Sequence, residues 1–306
     1  MLNRRILRIK AFKTIYSLAE NRSMSVADAL KELDASCEAT RDLYLFLLDV
    51  VPALTVEART RIEAARAKFH PTEEELHPNM KFAENRVAKI LSQDPDFLKQ
   101  TEKRKLSWDQ FDVLLRSLYD SIRTKEYYEK YMNSGEDSLK EDAALWRHIF
   151  EEEFEDNEEL WKILEDLSIW WTDDVAYALT YCCHAMDDLG AGKPWRLPEL
   201  YLSQMPGREG MESDKDFVRS IVRRAVQDFE KDFEVVASLT PKWDADRLCT
   251  TDIALIVCGM AESASFPAVS PKIIINEYVE ISKYYSTPDS RAFVNGLLNK
   301  LIINNA

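Results

Sequence analysis

The stretch Pro271–Lys300, PKIIINEYVEISKYYSTPDSRAFVNGLLNK, decides how this sequence is interpreted. Pro271 is suited to the first turn of a helix, where its missing amide N–H has no helical partner to lose. We expect this helix to run to about Tyr284. The segment Thr287–Ser290 predicts a turn and a helix cap, after which a last helix extends to Ile303.

The rest of the chain also predicts helices. It has 306 residues, of which 46% are hydrophobic and 31% charged, and only 7 are glycine. A fold with many tight turns, or an enzyme with Gly-rich phosphate loops, would need more glycine. We therefore predict an all-α protein. Its first helices are expected at 3–20, capped by Asn3, at 25–33, and at 37–51, ending before Pro52.

Helical spacing marks candidate core residues in the third of these helices and in the middle of the chain. Apolar side chains that repeat every three to four residues line one face of a helix. The residues predicted to be core on this basis are Leu43, Phe46, Leu47, Val50, Trp146, Trp161, Trp170 and Trp171.

Charge divides the chain into three regions. The formal net charge is −14, and residues 52–215 alone carry 35 Asp and Glu against 22 Lys and Arg. Ser203–Ser213, with Pro206, Gly207 and Gly210, has the composition of a linker. We predict an N-terminal helical region at 1–51, an acidic helical insertion at 52–215 and a C-terminal helical bundle at 216–306.

The N-terminus is basic although the protein is acidic. Arg4, Arg5, Arg8 and Lys10 all precede Glu20, the first acidic residue of the chain. On a helix with 100° per residue, the three arginines lie within about 100° of one another. Such a cluster can hold phosphates and stack on bases, although a solvated helix end without function has the same pattern.

No pattern argues for catalysis or for a bound metal or cofactor. Gly190–Pro194 lacks the first glycine and the Ser or Thr of a phosphate loop. The four histidines are scattered, and the five cysteines lack the spacing of a zinc site or a disulfide framework. No apolar segment is long enough to span a membrane, and no secretion signal is present, so we expect a cytoplasmic protein.

The C-terminal stretch resembles the signature of the NusB family, whose pattern is P-x-x-[VI]-[VI]-I-N-E-x-V-E-[LI]-[AS]-K followed by S-x-x-F-V-N-G-[VL]-L-x-K. RRILRIKAFKTIY at Arg4–Tyr16 is similar to the Arg-rich first helix of that family. Pro71–Asn79 and Lys105–Trp108 resemble the long NusB version of the Bacteroidetes. The chain departs from the family at Val257, often arginine, and at Ala261, usually tyrosine.

The resemblance implies an all-α fold of two small helical bundles, here with a large helical insertion. It also implies a transcription antitermination factor that is not an enzyme. Such factors bind boxA-type single-stranded RNA together with NusE, a small-subunit ribosomal protein. They act in the RNA polymerase antitermination complex and promote read-through on ribosomal RNA operons. The sequence leaves a homodimer open.

The resemblance also implies roles for individual residues. The residues expected at the RNA are Arg4, Arg5, Arg8, Lys10 and Phe293. The residues expected at the protein partner are Glu262, Asp289 and Phe293. The residues expected to brace the two C-terminal helices are Asn276, Glu277, Asn295 and Gly296, the last through a close approach of helices.

Two other hypotheses are compatible with parts of the sequence. NusB-like bundles also occur at the N-terminus of ribosomal RNA cytosine methyltransferases, but those enzymes need a Gly-rich cofactor turn and catalytic cysteines in a further domain. Alternatively, the acidic insertion is the dominant surface, and the protein is a helical protein–protein interaction scaffold with vestigial RNA binding.

Overall fold

A computed structural model describes residues 1–205, 213–240 and 249–303. These residues are helical and contain no β-strand; a single parallel bridge joins Leu2 and Tyr201. The predicted all-α class is confirmed. The linker residues Pro206, Gly207 and Gly210 lie outside the described ranges.

The helices are named in chain order. They are α1 (Arg4–Glu20), α2 (Val26–Leu48), α3 (Val50–Arg66), α4 (Glu73–Leu76), α5 (Arg86–Gln93), α6 (Pro95–Arg104), α7 (Asp112–Arg123), α8 (Glu126–Asn133), α9 (Leu139–Glu152), α10 (Glu158–Leu167), α11 (Val175–Gly190), α12 (Asp214–Leu239), α13 (Thr250–Ser265), α14 (Pro271–Tyr285) and α15 (Ser290–Leu298). A π-helical turn, Asn299–Ile303, follows α15. Within the described residues no helix is both long and apolar enough to cross a membrane.

The N-terminal helices are longer than predicted. The expected break near residue 34 does not occur, because Leu33 and Cys37 are both buried on one continuous α2. Pro52 was expected to end a helix, but it lies in the first turn of α3. A proline is tolerated there because the first amide groups of a helix have no intrahelical acceptor.

The chain forms two compact units. The first comprises Met1–Glu38 and Glu199–Ala306, and the second comprises Ala39–Pro198. These boundaries lie earlier in the chain than the predicted ends of the first region, at 51, and of the insertion, at 215. The assignment of the middle segment as an insertion stays a prediction.

In the first unit, α13 is the central helix and packs against α1, α12, α14 and α15. Every residue from Asp252 to Gly259 is buried. Gly259 makes this packing close, since a Cβ added there would lie 2.7 Å from Cδ2 of Leu298 and 3.4 Å from Cδ2 of Tyr278. The close approach predicted at Gly296 is wrong, because a Cβ at Gly296 would meet nothing within 4 Å.

The second unit is built from the C-terminal part of α2 and from α3 to α11, with α9 and α11 as a tightly packed pair. Phe46 stacks on Trp108 at 4.5 Å between ring centroids and lies 5.4 Å from Trp171. The predicted core residues Leu43, Phe46, Leu47, Val50, Trp146 and Trp171 are all buried, whereas Trp161 is half-buried.

Trp170 is a wrong core prediction. It is 37% exposed, whereas its neighbour Trp171 is buried. The reason is that both follow the end of α10, outside any helix, so helical spacing does not apply to them.

A buried carboxylate on α12 gives the first unit a pH-dependent stability. Asp232 is 9% exposed and lines a cleft of about 290 Å³ between α12, α13 and the C-terminal turn. Burial, together with the charge of Asp228, raises the pKa of Asp232 to about 6. A raised pKa means that the folded state disfavours the ionised carboxylate, so this group costs stability above its folded pKa.

We predict that Asp232→Asn raises the melting temperature at pH 8 by about 2–4 °C, because it removes the buried charge. The gain should shrink as the pH falls through 6, where the native carboxyl becomes protonated. It should vanish below about pH 4, where the unfolded chain is protonated as well. Calorimetry at several pH values measures this. Glu234→Gln, which removes an exposed acid of α12, is the control and should change little. A pH-independent difference would contradict the prediction.

Candidate functional site

The N-terminal arginine cluster (Arg4, Arg5 and Arg8) stands on the first two turns of α1. The side chain of Asn3 caps this helix by accepting the amide of Ile6 at 3.0 Å, as predicted. Helical geometry then places Arg4 and Arg8 one above the other, with Arg5 on a neighbouring face. The three side chains consequently meet three different helices.

Arg8 forms a buried, bidentate ion pair with Glu262 of α13. Its Nε lies 2.8 Å from Oε2 and its Nη2 lies 2.6 Å from Oε1 of Glu262. The hydroxyl of Tyr278 on α14 donates to the same carboxylate at 3.0 Å. Burial lowers the pKa of Arg8, but the hydrogen bonds and charge of Glu262 outweigh it and the net pKa is raised. Arg8 therefore stays charged in the interior.

Arg5 pairs with Glu277 of α14 at the surface. Its Nη2 donates to Oε1 at 2.7 Å and its Nε donates to Oε2 at 3.0 Å. Nη1 of Arg8 lies 3.5 Å from the same carboxylate. The hydrogen bond from Arg5 lowers the pKa of Glu277. Glu277 thus binds α1 to α14, a different role from the predicted bracing of α14 against α15.

Arg4 contacts α12 through one carboxylate and one aromatic ring. Its Nε lies 3.2 Å from Oδ1 of Asp214, at the start of that helix. Its guanidinium lies 4.5 Å from the ring centroid of Phe217, and that of Arg8 lies 5.3 Å from the same ring. Cation–π contacts of this kind hold a guanidinium flat on a surface.

The fold therefore balances the charge of the basic N-terminus. The cluster brings three arginines against three carboxylates, none of which is near in the sequence. The exposed fraction of the side chain is 48% for Arg5 and 36% for Arg4, but 7% for Arg8. Lys10 is also buried, at 3%. Only Arg4 and Arg5 of the predicted RNA residues on α1 present their guanidinium groups to solvent.

Glu262 was expected on a partner-facing surface, and the structure corrects this. Its side chain is fully buried against Arg8 and Tyr278. A carboxylate in an apolar helix is stable only with a partner of opposite charge, and here α1 supplies it. Glu262 consequently positions α1.

The C-terminal turn between α14 and α15 is tied to the start of α13. Ser286 and Ser290 donate from their hydroxyls to Asp252 at 2.6 and 2.8 Å. Asp289 is exposed and precedes α15, and its carbonyl accepts the amide of Phe293, which is half-buried. Both are accessible at this end of α15, as a role in binding requires.

The predicted bracing residues of α14 and α15 lie mostly on the surface. Asn276 and Asn295 are both exposed. Asn295 accepts two hydrogen bonds from the side chain of Asn299, one turn further along. Asn295 thus takes part in a local hydrogen-bond pair at the end of α15.

Aromatic side chains that the sequence did not single out lie along α1 and α14. The rings of Phe12 and Tyr285 are 5.3 Å apart, and those of Phe12 and Tyr16 are 6.5 Å apart. Tyr16 is 40% exposed and Tyr284 is 82% exposed. Exposed aromatic rings beside arginines are the components of single-strand binding surfaces.

One sequence feature indicates that Glu262 has a basic partner. Glu262 is the single charged residue in the ten positions that follow Asp252, and an ion on such an apolar helix needs a counter-ion. The sequence does not say which arginine supplies it.

The site has two chemical capabilities. Its exposed arginines can exchange a carboxylate partner for another anion, and its exposed tyrosine rings can stack on bases. Within the described ranges no three His, Cys, Asp or Glu side chains gather as a metal site would require.

The buried pair makes a prediction about stability. Arg8→Met leaves Glu262 buried without a counter-charge, which should lower the free energy of unfolding by about 3–5 kcal/mol. Adding Glu262→Leu should recover part of this loss. The exposed Arg22, which pairs with Glu230, is the matched control, and Arg22→Met should cost less than about 1 kcal/mol. Urea denaturation of the wild type and the three variants measures these differences. Equal losses for Arg8→Met and Arg22→Met would contradict the assignment.

Comparison with known proteins covers mainly the second segment of the first unit. The model of the NusB family matches residues 197–302, which begins close to Glu199 and includes α12 to α15. No solved structure matches the chain. The matched range contains the carboxylates that hold Arg4, Arg5 and Arg8.

Several curated relatives carry the name transcription antitermination protein NusB. That of Salinibacter ruber is 30% identical over 92 residues, which is 30% of this chain and 58% of the relative. That of Chloroherpeton thalassium is 35% identical over 85 residues, covering 28% and 40%. That of a Thermoanaerobacter species is 31% identical over 106 residues, covering 35% of this chain and 71% of the relative. The chain thus spans about half the length of the first two and most of the third. On this similarity, the chain belongs to the NusB family.

Proposed function

We propose that this protein is a transcription antitermination factor that binds boxA-type single-stranded RNA together with NusE. It acts in the RNA polymerase antitermination complex and promotes read-through on ribosomal RNA operons. The observation that carries the proposal is the family match across 197–302, the range that holds the counter-ions of the N-terminal arginine cluster. The named relatives are antitermination proteins.

Arg5 and Arg4 are the proposed phosphate contacts. Both side chains are partly exposed and pair with a carboxylate, and Arg5 already forms the bidentate, charge-assisted pairing that a phosphate also accepts. RNA binding is then an exchange, in which a phosphate takes the place of Glu277 or Asp214. Because each exchange replaces one anion by another, affinity depends on how tightly the resident carboxylate is held.

Arg8, Lys10 and Glu262 have supporting roles in this proposal. Their side chains are buried, so they set the position of α1 and do not contact RNA or NusE directly. The proposed contacts to NusE are Asp289 and Phe293, which lie at the accessible start of α15. Phe293 lies one turn after Asp289, the cap of α15. We propose that its ring contacts an RNA base as well as NusE.

Tyr16 and Tyr284 are the proposed stacking platforms. Base stacking on an aromatic ring contributes about 1–3 kcal/mol per base and tolerates many sequences. Their exposure leaves a ring face accessible in each case. Arginines at the start of α1 would neutralise phosphates, and the rings further along α1 and α14 would hold bases, the combination that single-stranded RNA requires.

One observation favours the second candidate, a protein–protein interaction scaffold with vestigial RNA binding. Each arginine of the cluster has a carboxylate partner, so the net positive charge that attracts RNA is small. A scaffold would bind boxA-type RNA weakly, and substitution of the arginines would leave that binding unchanged. Measuring boxA RNA affinity with and without the arginines of the cluster therefore separates the two functions.

We predict that the double variant Arg4→Ala/Arg5→Ala weakens boxA RNA binding at least about tenfold, because two phosphate contacts are lost. The slope of log affinity against log salt should also fall by about 0.7 per lost contact, or about 1.4 in total. The measurement is a gel-shift titration of the protein with NusE at several salt concentrations. Arg8 is left intact because its loss would destabilise the fold.

Arg22→Ala is the matched control for this experiment. Arg22 also pairs with an acid, Glu230, and also lies over an α12 ring, that of Phe229, at 4.6 Å. It stands beyond the other end of α1 from the cluster, so its removal should reduce RNA affinity much less than the double variant does. Equal effects of the double variant and Arg22→Ala would show that bulk charge, not the cluster, determines binding.

We predict that Glu277→Gln strengthens RNA binding. It removes the anion that holds Arg5, and the expected gain is about fivefold, from the roughly 1 kcal/mol between unit charges about 4 Å apart in water. Glu230→Gln is the control, because Glu230 also pairs with an arginine, Arg22, but that arginine lies outside the cluster. Weaker binding by Glu277→Gln would mean that Glu277 orients Arg5 for RNA and does not compete with it.

A further inference from the structure

The second unit presents an apolar patch that its own core does not use. We name it the α10 patch: Leu167, at the end of α10, with Ile169 and Trp170, which follow it. Their exposed fractions are 42%, 78% and 37%. The other face of α10 is well packed, since Leu160 and Leu164 are fully buried. The exposure is therefore confined to the end of the helix.

This exposure is imposed by a well-fixed turn. Trp171 is buried and lies 5.4 Å from the ring of Phe46, which anchors the turn in the core. The amide of Trp171 donates to the carbonyl of Ser168 at 3.0 Å. Asp174, also buried, accepts a hydrogen bond from Thr40 at 2.5 Å. The turn is thus anchored at Trp171 and Asp174, and the residues before these anchors, Ile169 and Trp170, stay outside the core.

The surroundings of the α10 patch are strongly acidic. Residues 151–174 contain 11 Asp and Glu and one basic residue, Lys162. Glu165 and Asp166 precede Leu167 on the last turn of α10, and Asp173 follows Trp170; all three are exposed. The unit as a whole, 39–198, has 33 acidic against 21 basic residues. The field at the patch is negative and repels nucleic acid and anionic membrane surfaces.

We infer that the α10 patch is a docking surface for a Lys- and Arg-rich segment of another protein. Apolar side chains of that segment would cover Ile169 and Trp170, and its cations would face Glu165, Asp166 and Asp173. Tryptophan is enriched at the centres of protein interfaces, and complementary charge at the rim speeds association and selects the partner. A preformed patch binds without the entropic cost of ordering a loop. This site goes beyond RNA recognition and gives the acidic unit a function of its own.

The test uses the full chain and a synthetic helical peptide with leucines on one face and lysines on the other. Calorimetry should show binding to the wild type. Ile169→Ser/Trp170→Ser should weaken it by more than about tenfold, as expected for an interface anchor. Glu165→Lys/Asp166→Lys should slow association and remove most of the salt dependence. The same peptide with glutamate for lysine should not bind.

Phe69→Ser is the matched control, because Phe69 belongs to the same unit and is 92% exposed. It should leave peptide binding unchanged, and the melting temperatures of all variants establish that they fold. Three results would overturn the inference: no peptide binding by the wild type, equal losses in Phe69→Ser and the double serine variant, or wild-type dimerisation that the double serine variant abolishes. The last result would assign the patch to a second copy of the chain. RNA affinity of the double serine variant should equal that of the wild type, so failure here is distinct from failure of the proposed antitermination function.

Discussion

The packing of the first unit depends on the ion pair between Arg8 and Glu262. A carboxylate in an apolar helix costs several kcal/mol in lost hydration, and it is retained only when a counter-ion and further hydrogen bonds replace the water. Arg8 supplies a bidentate partner, and Tyr278 supplies a hydroxyl. Because these groups come from α1, α13 and α14, one interaction sets the mutual placement of three helices.

This constraint also determines how the surface around it can act. Arg8 is buried, whereas Arg4 and Arg5 are partly exposed. Asp214 pairs with Arg4, and Glu277 pairs with Arg5. Because each of the three arginines faces a carboxylate, the proposed RNA binding would proceed by exchange of partners instead of by attraction to an excess of positive charge. In that proposal, a ligand must offer anions at the spacing of the two exposed guanidinium groups, which would disfavour non-specific binding.

The second unit, unlike the arginine cluster of the first, has a concentrated negative charge. Its acids are concentrated around residues 151–174, where few cations offset them. An aromatic core formed by Phe46, Trp108 and Trp171 holds a turn that leaves Ile169 and Trp170 in solvent. A rigid apolar patch within a negative field is suited to a basic protein and unsuited to RNA. The two units therefore favour binding partners of different chemistry.

Much of the local structure follows from short-range patterns in the sequence. Helical spacing and few glycines predicted the all-α class, Asn3 and Pro271 marked helix starts, and the core residues of α2 were found by their periodicity. The C-terminal signature predicted the family. These features succeed because capping and amphipathic packing act between residues a few positions apart.

Which charges are exposed depends on the packing of helices that are distant in the sequence. Arg8 and Glu262 are 254 positions apart, and no local pattern states that they meet. No local pattern shows that the close helix approach expected at Gly296 occurs at Gly259. Nor does one show that Trp171 is buried and its neighbour Trp170 exposed. Burial and pairing depend on which helices pack together, because an ion or a ring is stable inside the protein only when a distant segment completes its surroundings.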